Sequence, residues 1–346
     1  MEGSEVITAA DLRGAIPAMP LLLDESGAID WRAQRAVVRY YLAAGVDGVA
    51  VGVHTTQFEL HDDPGALAEV WRVVAEEAAR RDTRPLLIAG ICGDTEQAVR
   101  EATTASELGY QAGLMCGRGM AEVAPEPLLH RARAVGEVMP TIGFYLQESV
   151  GGRYLPQDFW AELASLESVI GVKAAPFDRY RTREVAQAIL TCDRWDEVAL
   201  LTGNDDAIVA DLVTPHRYVV DGRTRELRVR GGLLGQYAVG TKAAVELTHR
   251  ALGLDDQVPA DLLTLGQDLT EVNAAVFDVR HDFAGCVPGV NEVLRQQGLA
   301  ATARCFSPTE QLSPGQSELI AQARTRHPDL LDEQFIAEHR EEWLAD

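Results

Sequence analysis

Positive charge is scarce in this chain: 31 Lys and Arg stand against 53 Asp and Glu, a formal net charge of −22. Such a surface repels phosphate backbones and anionic lipid headgroups, which argues against nucleic acid or a membrane as a partner. Cysteine is sparse as well. Cys92, Cys116, Cys192, Cys286 and Cys305 lie far apart without a C-x-x-C pair. That spacing speaks against a disulfide framework or a zinc module and for a reduced, cytoplasmic protein. No apolar run approaches the length of a bilayer span, and the acidic first 14 residues lack the apolar core of a signal peptide. Nor does a G-x-G-x-x-G follow the first apolar segment, which removes the fingerprint of an open dinucleotide-binding sheet.

What is present is a large apolar fraction, 47% of 346 residues, enough for one barrel or two ordinary domains. Strand-like and helix-like segments alternate. The strand-like runs are Gly14–Leu23 (short, then a loop at Pro17 and Pro20), Val46–Val53, Pro85–Gly90, Gln111–Met115, Thr141–Leu146, Val169–Ala175, Glu197–Leu201 and Glu226–Leu233. Helical periodicity separates them, with Asp30 placed to cap the first helix and Gly45 to end it. Thr214–Arg225 reads as an inserted loop or hairpin, leaving the whole 214–230 stretch without a functional reading. Beyond Leu254 the pattern is helix only. Eight strand–helix repeats with short linkers predict a (β/α)₈ TIM barrel over residues 1–253 and a C-terminal helical extension over 254–346.

One strand carries a conspicuous residue. Val169-Ile170-Gly171-Val172-Lys173-Ala174-Ala175 is an apolar run with a single lysine. A charged ammonium there is costly without a partner, and a depressed pKa leaves a neutral amine able to attack a carbonyl. The alternative is a frayed strand end with Lys173 in solvent. In a parallel barrel, chemistry gathers at the C-terminal ends of the strands. Those positions hold His54, Thr55 and Thr56 after strand two, Cys92 after three, Cys116 and Arg118 after four, Tyr145 and Gln147 after five, and Thr202-Gly203-Asn204-Asp205 after seven.

His-Thr-Thr-x-x-Glu at His54–Glu59, Phe144-Tyr145, Gly171-Val172-Lys173 and Thr202–Asp206 together resemble the dihydrodipicolinate synthase/N-acetylneuraminate lyase superfamily, over about residues 14–299. The resemblance implies a class I aldolase or lyase acting on a pyruvate-like α-keto acid. Lys173 would form the Schiff base and Tyr145 would relay protons. Thr55 and Thr56 would hold the substrate carboxylate, and Gly203 would line the pocket. It also implies a homotetramer with neither metal nor organic cofactor.

The departures are equally specific. His54 stands where the family has glycine, adding a group that titrates near neutrality or one that merely fills the pocket. Cys116-Gly117-Arg118 replaces a tyrosine-bearing stretch. Val150 occupies the place of the arginine that binds the second substrate's carboxylate, leaving Arg118 or Arg153 to supply that cation. These losses point away from a true dihydrodipicolinate synthase. A keto-sugar-acid dehydratase using the same iminium and a non-catalytic small-molecule-binding barrel remain alternatives. A metal-dependent aldolase, suggested by His54, Glu59, His61, Asp62 and Asp63, is the least favoured because nothing fixes a ligand geometry.

Overall fold

Four helices begin the same way, with an aspartate side chain accepting backbone N–H groups left free by the first turn. Asp30 caps α1 (Trp31–Ala44), Asp63 caps α2 (Pro64–Ala79), Asp94 caps α3 (Thr95–Glu107) and Asp178 caps α6 (Arg179–Thr191). The other helices of the barrel layer are α4 (Pro125–Gly136), α5 (Gln157–Ser165), α7 (Ile208–Val213) and α8 (Thr241–Leu252). The computed structural model describes residues 7–81, 84–120, 122–255 and 257–345.

The strands are β1 (Gly14–Pro17), β2 (Gly48–Val51), β3 (Leu86–Ile91), β4 (Ala112–Met115), β5 (Thr141–Leu146), β6 (Val169–Ala175), β7 (Ala199–Thr202) and β10 (Val229–Leu234). They pair in parallel in the order β1-β10-β7-β6-β5-β4-β3-β2. The ring closes between β1 and β2, where the Met19 N–H donates to Ala50 O at 2.9 Å and the Asp47 N–H to Ala15 O at 3.0 Å. This is the expected (β/α)₈ barrel. The inserted segment is an antiparallel hairpin, β8 (His216–Val220) with β9 (Arg223–Leu227), so the eighth barrel strand starts at Val229 and not at Glu226.

Strands covered on both faces are apolar on both, and two cores result. Inside the barrel, Ile16, Ile88, Ile142, Ile170, Leu201 and Leu233 interlock. Outside it, Val49, Val51, Val172 and Leu200 pack under the helices, with Trp71 and Trp160 among the largest buried side chains. No helix among the described residues is long and apolar enough to cross a membrane.

After the barrel come α9 (Ala260–Val276), α10 (Cys286–Gln296), α11 (Gln316–Arg326) and α12 (Glu333–Trp343). The chain does not run straight from β10 into α8. A 3₁₀ turn at Gln236–Ala238 and Gly240 intervene, the latter at φ 67° with Leu330 O only 1.9 Å from where a Cβ would sit. A side chain there would collide with backbone. The α8 N-terminus has no local side-chain cap. Asp332, just before α12, supplies one from 90 residues away: its carboxylate accepts the Lys242 N–H at 2.6 Å, the Ala243 N–H at 3.0 Å and the Tyr40 hydroxyl at 2.6 Å. The tail is thereby fastened to the barrel. The end of α9 and the start of α10 lie over the barrel mouth, where Phe277 and Cys286 line the same cavity as Lys173.

Candidate active site

β6 delivers Lys173 into the barrel. From Val172 onward the strand alternates, Lys173 and Ala175 inward and Val172 and Ala174 outward, while a register shift against β5 at Ile170 lets that side chain face inward too. Lys173 is 6% exposed, and its Nζ lies 4.2 Å from the centre of the Phe144 ring. Among the described residues Nζ has no hydrogen-bond partner, and the side chain borders a cavity. Burial lowers its pKa to about 8, offset in part by the negative charge of Asp205.

Gly203 is needed for this placement. A Cβ on Gly203 would stand 2.6 Å from Lys173 Cε and 2.6 Å from Ala175 Cβ, so any side chain would displace the lysine stem. Asn204 beside it is a strut: it accepts the Phe177 N–H at 3.0 Å and donates to Thr182 Oγ1 at 3.1 Å and Asp211 Oδ2 at 2.9 Å.

Two residues that the sequence placed at strand ends without a role enter the cavity. Asp205 accepts the Gln236 N–H at 2.9 Å through one oxygen, and the other has no partner among the described residues. Burial pushes its carboxyl up to about 7, against the pull of that N–H and of Lys173. Gln147 borders the cavity, and its side-chain amide likewise has no partner among the described residues. Asp205 was visible in the Thr202–Asp205 motif, but a motif does not say which of two adjacent aspartates turns inward.

His54 also lines the cavity. It opens a 3₁₀ turn, His54–Thr56, and rests on Phe58 at 5.6 Å between ring centres. Burial, and then the neighbouring Lys173 charge, lower its pKa to about 4, which keeps the imidazole neutral. The two threonines part company. Thr55 borders the cavity, with its hydroxyl donating to Ala18 O at 2.7 Å. Thr56 is occupied by the backbone: it accepts from the Gly52 and Val53 N–H groups at 3.0 and 3.2 Å and donates to Met19 O at 2.6 Å. Its hydroxyl ties the two ends of the barrel seam together.

Three residues lie elsewhere than the sequence suggested. Tyr145 points out of the barrel, because Phe144 and Leu146 take the inward phase of β5. Its ring stacks on Trp160 at 5.2 Å, and burial pushes the phenol up to about 12. Phe144, paired across the ladder with Lys173, fills the place next to the amine. Arg118 is held by both oxygens of Asp62, at 2.8 and 2.6 Å, and Arg153 by Val123 O. Neither arginine lines the Lys173 cavity. The metal alternative loses its ligands to other tasks, since His61 bonds Glu101 at 2.9 Å and Gly52 O at 2.7 Å, and Asp62 bonds Arg118. Among the described residues no group of three or more His, Cys, Asp or Glu side chains converges.

The sequence model of the dihydrodipicolinate synthetase family matches residues 11–214, more than half of the chain. The chain belongs to that family. It is 27% identical over 205 residues to a 4-hydroxy-tetrahydrodipicolinate synthase of Ectopseudomonas mendocina, covering 58% of this chain and 66% of the relative. It is 27% identical over 210 residues to an N-acetylneuraminate lyase of Citrobacter koseri, covering 58% and 69%. The match to the synthase thus spans just under two thirds of that protein's length. Among solved structures, a dihydrodipicolinate synthase from Acinetobacter baumannii complexed with pyruvate superposes with a TM-score of 0.72 at 19% identity, over 92% of this chain and 99% of the other. At that identity the likeness establishes the fold. In this member of the dihydrodipicolinate synthetase family, Phe144 pairs with Lys173 across the ladder and Tyr145 faces outward.

Proposed function

We propose that the protein is a class I lyase or aldolase that binds a pyruvate-like α-keto acid as a Schiff base on Lys173. The observation that carries this reading is the buried, unpartnered Lys173 amine at the end of a barrel strand, in a cavity that also holds Asp205 and His54. The neutral amine attacks the keto carbon. Loss of water from the carbinolamine gives the iminium, which draws electrons from the adjacent carbon. Asp205 is the acid and base of the cycle: protonated, it supplies the proton that leaves with water, and as carboxylate it takes one from the methyl carbon to give the enamine. Thr55 turns its hydroxyl from Ala18 O toward the substrate carboxylate, joined by the Gln147 amide. Thr56 fixes the turn that presents Thr55. Attack of the enamine on an aldehyde forms the C–C bond, and the reverse breaks it. No cofactor enters this scheme.

The second substrate is not aspartate semialdehyde in this reading. That aldehyde brings a carboxylate, and a buried carboxylate without a hydrogen-bonded cation is unfavourable by several kcal/mol. Arg118 and Arg153 are committed elsewhere. A cytoplasmic homotetramer is also part of the proposal. It is supported by family membership and by five free cysteines, and light scattering checks it against four times the 37.6 kDa chain mass. The function itself is tested by assaying pyruvate consumption with an aldehyde panel that includes aspartate semialdehyde. Turnover with other aldehydes but not with that one is expected; synthase-like turnover would refute the substrate assignment.

A further inference from the structure

A second, larger cavity of about 550 Å³ lies directly outside the Lys173 cavity, and Gln147, Phe177, Asp205 and Phe277 border both. Anything reacting with an enamine on Lys173 must occupy it. Its walls have two characters. On one side Phe177 and Phe283 face each other at 5.5 Å between ring centres, and Phe277 adds a third phenyl. The lining also carries Glu148, Asp178 and Asp206 beside Asp205, with Arg181 its one cation. Arg181 already pairs with Glu184 at 3.2 Å and lies 3.8 Å over the Tyr154 ring.

The backbone around the phenyl groups is held in an unusual state. Of the seven non-glycine residues with positive φ among those described, Phe177 (52°) and Phe283 (66°) belong to the wall, and Asp278 (56°) and Asp282 (52°) flank its loop. Left-handed backbone at β-carbon-bearing residues persists only where the surroundings enforce it, and it collects at ligand-binding sites. Here the surroundings do enforce it. The Phe177 N–H is taken by Asn204 at 3.0 Å, the Phe283 N–H by Asp278 O at 3.1 Å, and the Gly285 N–H by Asp278 Oδ2 at 3.0 Å. The rings are therefore presented on a rigid frame.

We infer that this outer cavity takes an uncharged aromatic aldehyde as the carbon acceptor. The assignment rests on the Schiff-base role of Lys173 proposed above and names the partner substrate of that same site. An aryl ring finds offset or edge contacts with the three phenyl groups, whereas a carboxylate or phosphate meets four acidic side chains and a cation already neutralised by Glu184. A polyol would leave the three phenyl faces without an apolar partner, whatever its hydroxyls find among the polar lining. In the reaction the enamine carbon bonds the aldehyde carbon and the carbonyl electron pair moves to its oxygen. That oxygen takes a proton from the Asp205 carboxyl, and water then hydrolyses the iminium to release a 4-aryl-4-hydroxy-2-oxo acid and free Lys173.

The experiment measures kcat/KM for wild-type protein with pyruvate and each of benzaldehyde, acetaldehyde, glyceraldehyde and succinic semialdehyde, following product by mass-detected chromatography. Benzaldehyde is expected to exceed glyceraldehyde and succinic semialdehyde by at least about tenfold. Phe283→Ala should lower the benzaldehyde-to-acetaldehyde ratio by about fivefold or more. Ala274→Arg, on an exposed wall position, should raise succinic semialdehyde relative to benzaldehyde, because a free guanidinium then faces the carboxylate. A preference for the carboxylated or polyol aldehyde, or ratios that neither variant moves, would overturn the acceptor assignment. Borohydride trapping of pyruvate in the same preparation separates the two levels: failure to trap overturns both, while trapping with the wrong acceptor preference overturns this one alone.

Discussion

Lys173 and Asp205 oppose each other as titrating groups. Burial disfavours the charged form of each, lowering the amine to about 8 and raising the carboxyl to about 7, while each charge partly restores the other. Reactive amine accumulates as pH rises through this region, so kcat/KM for the keto acid should climb on its acid side. Asp205→Asn removes the anion that raises the Lys173 pKa, so the acid limb should move to lower pH. The variant should also lose a factor of about 10² to 10⁴ in kcat as the proton carrier disappears. A purely structural aspartate would lower the rate without moving the limb. Tyr145→Phe gives the complementary expectation. A phenol stacked on Trp160 borders the outer cavity but not the one around Lys173, so kcat/KM for the keto acid should change by less than about threefold. A hundredfold loss would return the proton relay to Tyr145.

Among the strands and helices, the sequence pattern reveals some of these features and hides others. The barrel was legible because eight apolar runs alternate with capped helices, and Lys173 was legible because it is the one charge in a seven-residue apolar strand. The phase of β5 was not. Thr141–Leu146 is buried on both faces, so no polar alternation marks which of Phe144 and Tyr145 looks inward, and a shift of one residue exchanges them. Motif spacing fixed the residue count to Lys173 but not the direction of the side chain. Asp205 and Gln147 were likewise undecidable, since each stands next to another polar residue and only the turn geometry chooses between neighbours. The Asp332 cap was hidden for a different reason: its partners in α8 lie 89 and 90 residues away in the chain. Asp332→Ala leaves two N–H groups and the Tyr40 hydroxyl without their acceptor. It should destabilise the fold by about 2–4 kcal/mol, the loss of several hydrogen bonds to a buried carboxylate. A urea midpoint unchanged from wild type would show that the tail is fastened some other way.

For the whole molecule, the net charge of −22 acts on every anionic substrate that approaches. A keto acid carries the same sign, and with Arg118 paired to Asp62 no free cation of that loop draws it in. Repulsion between like charges slows encounter and is relieved as salt shortens the screening length, from about 30 Å at 0.01 M to about 10 Å at 0.1 M. Raising ionic strength across that range should therefore increase kcat/KM for pyruvate and leave kcat at saturation nearly constant. A decrease would reveal a cationic funnel that the surface charges do not contain.

Every step of the proposed chemistry passes through one covalent bond at Lys173. Sodium borohydride added to the protein in the presence of pyruvate should reduce the iminium and add a single adduct mass, mapped by peptide analysis to Lys173. Lys173→Ala should abolish labelling, and so should Lys173→Arg, whose guanidinium stays protonated. Labelling at another lysine, or none across a panel of α-keto acids, would contradict the account.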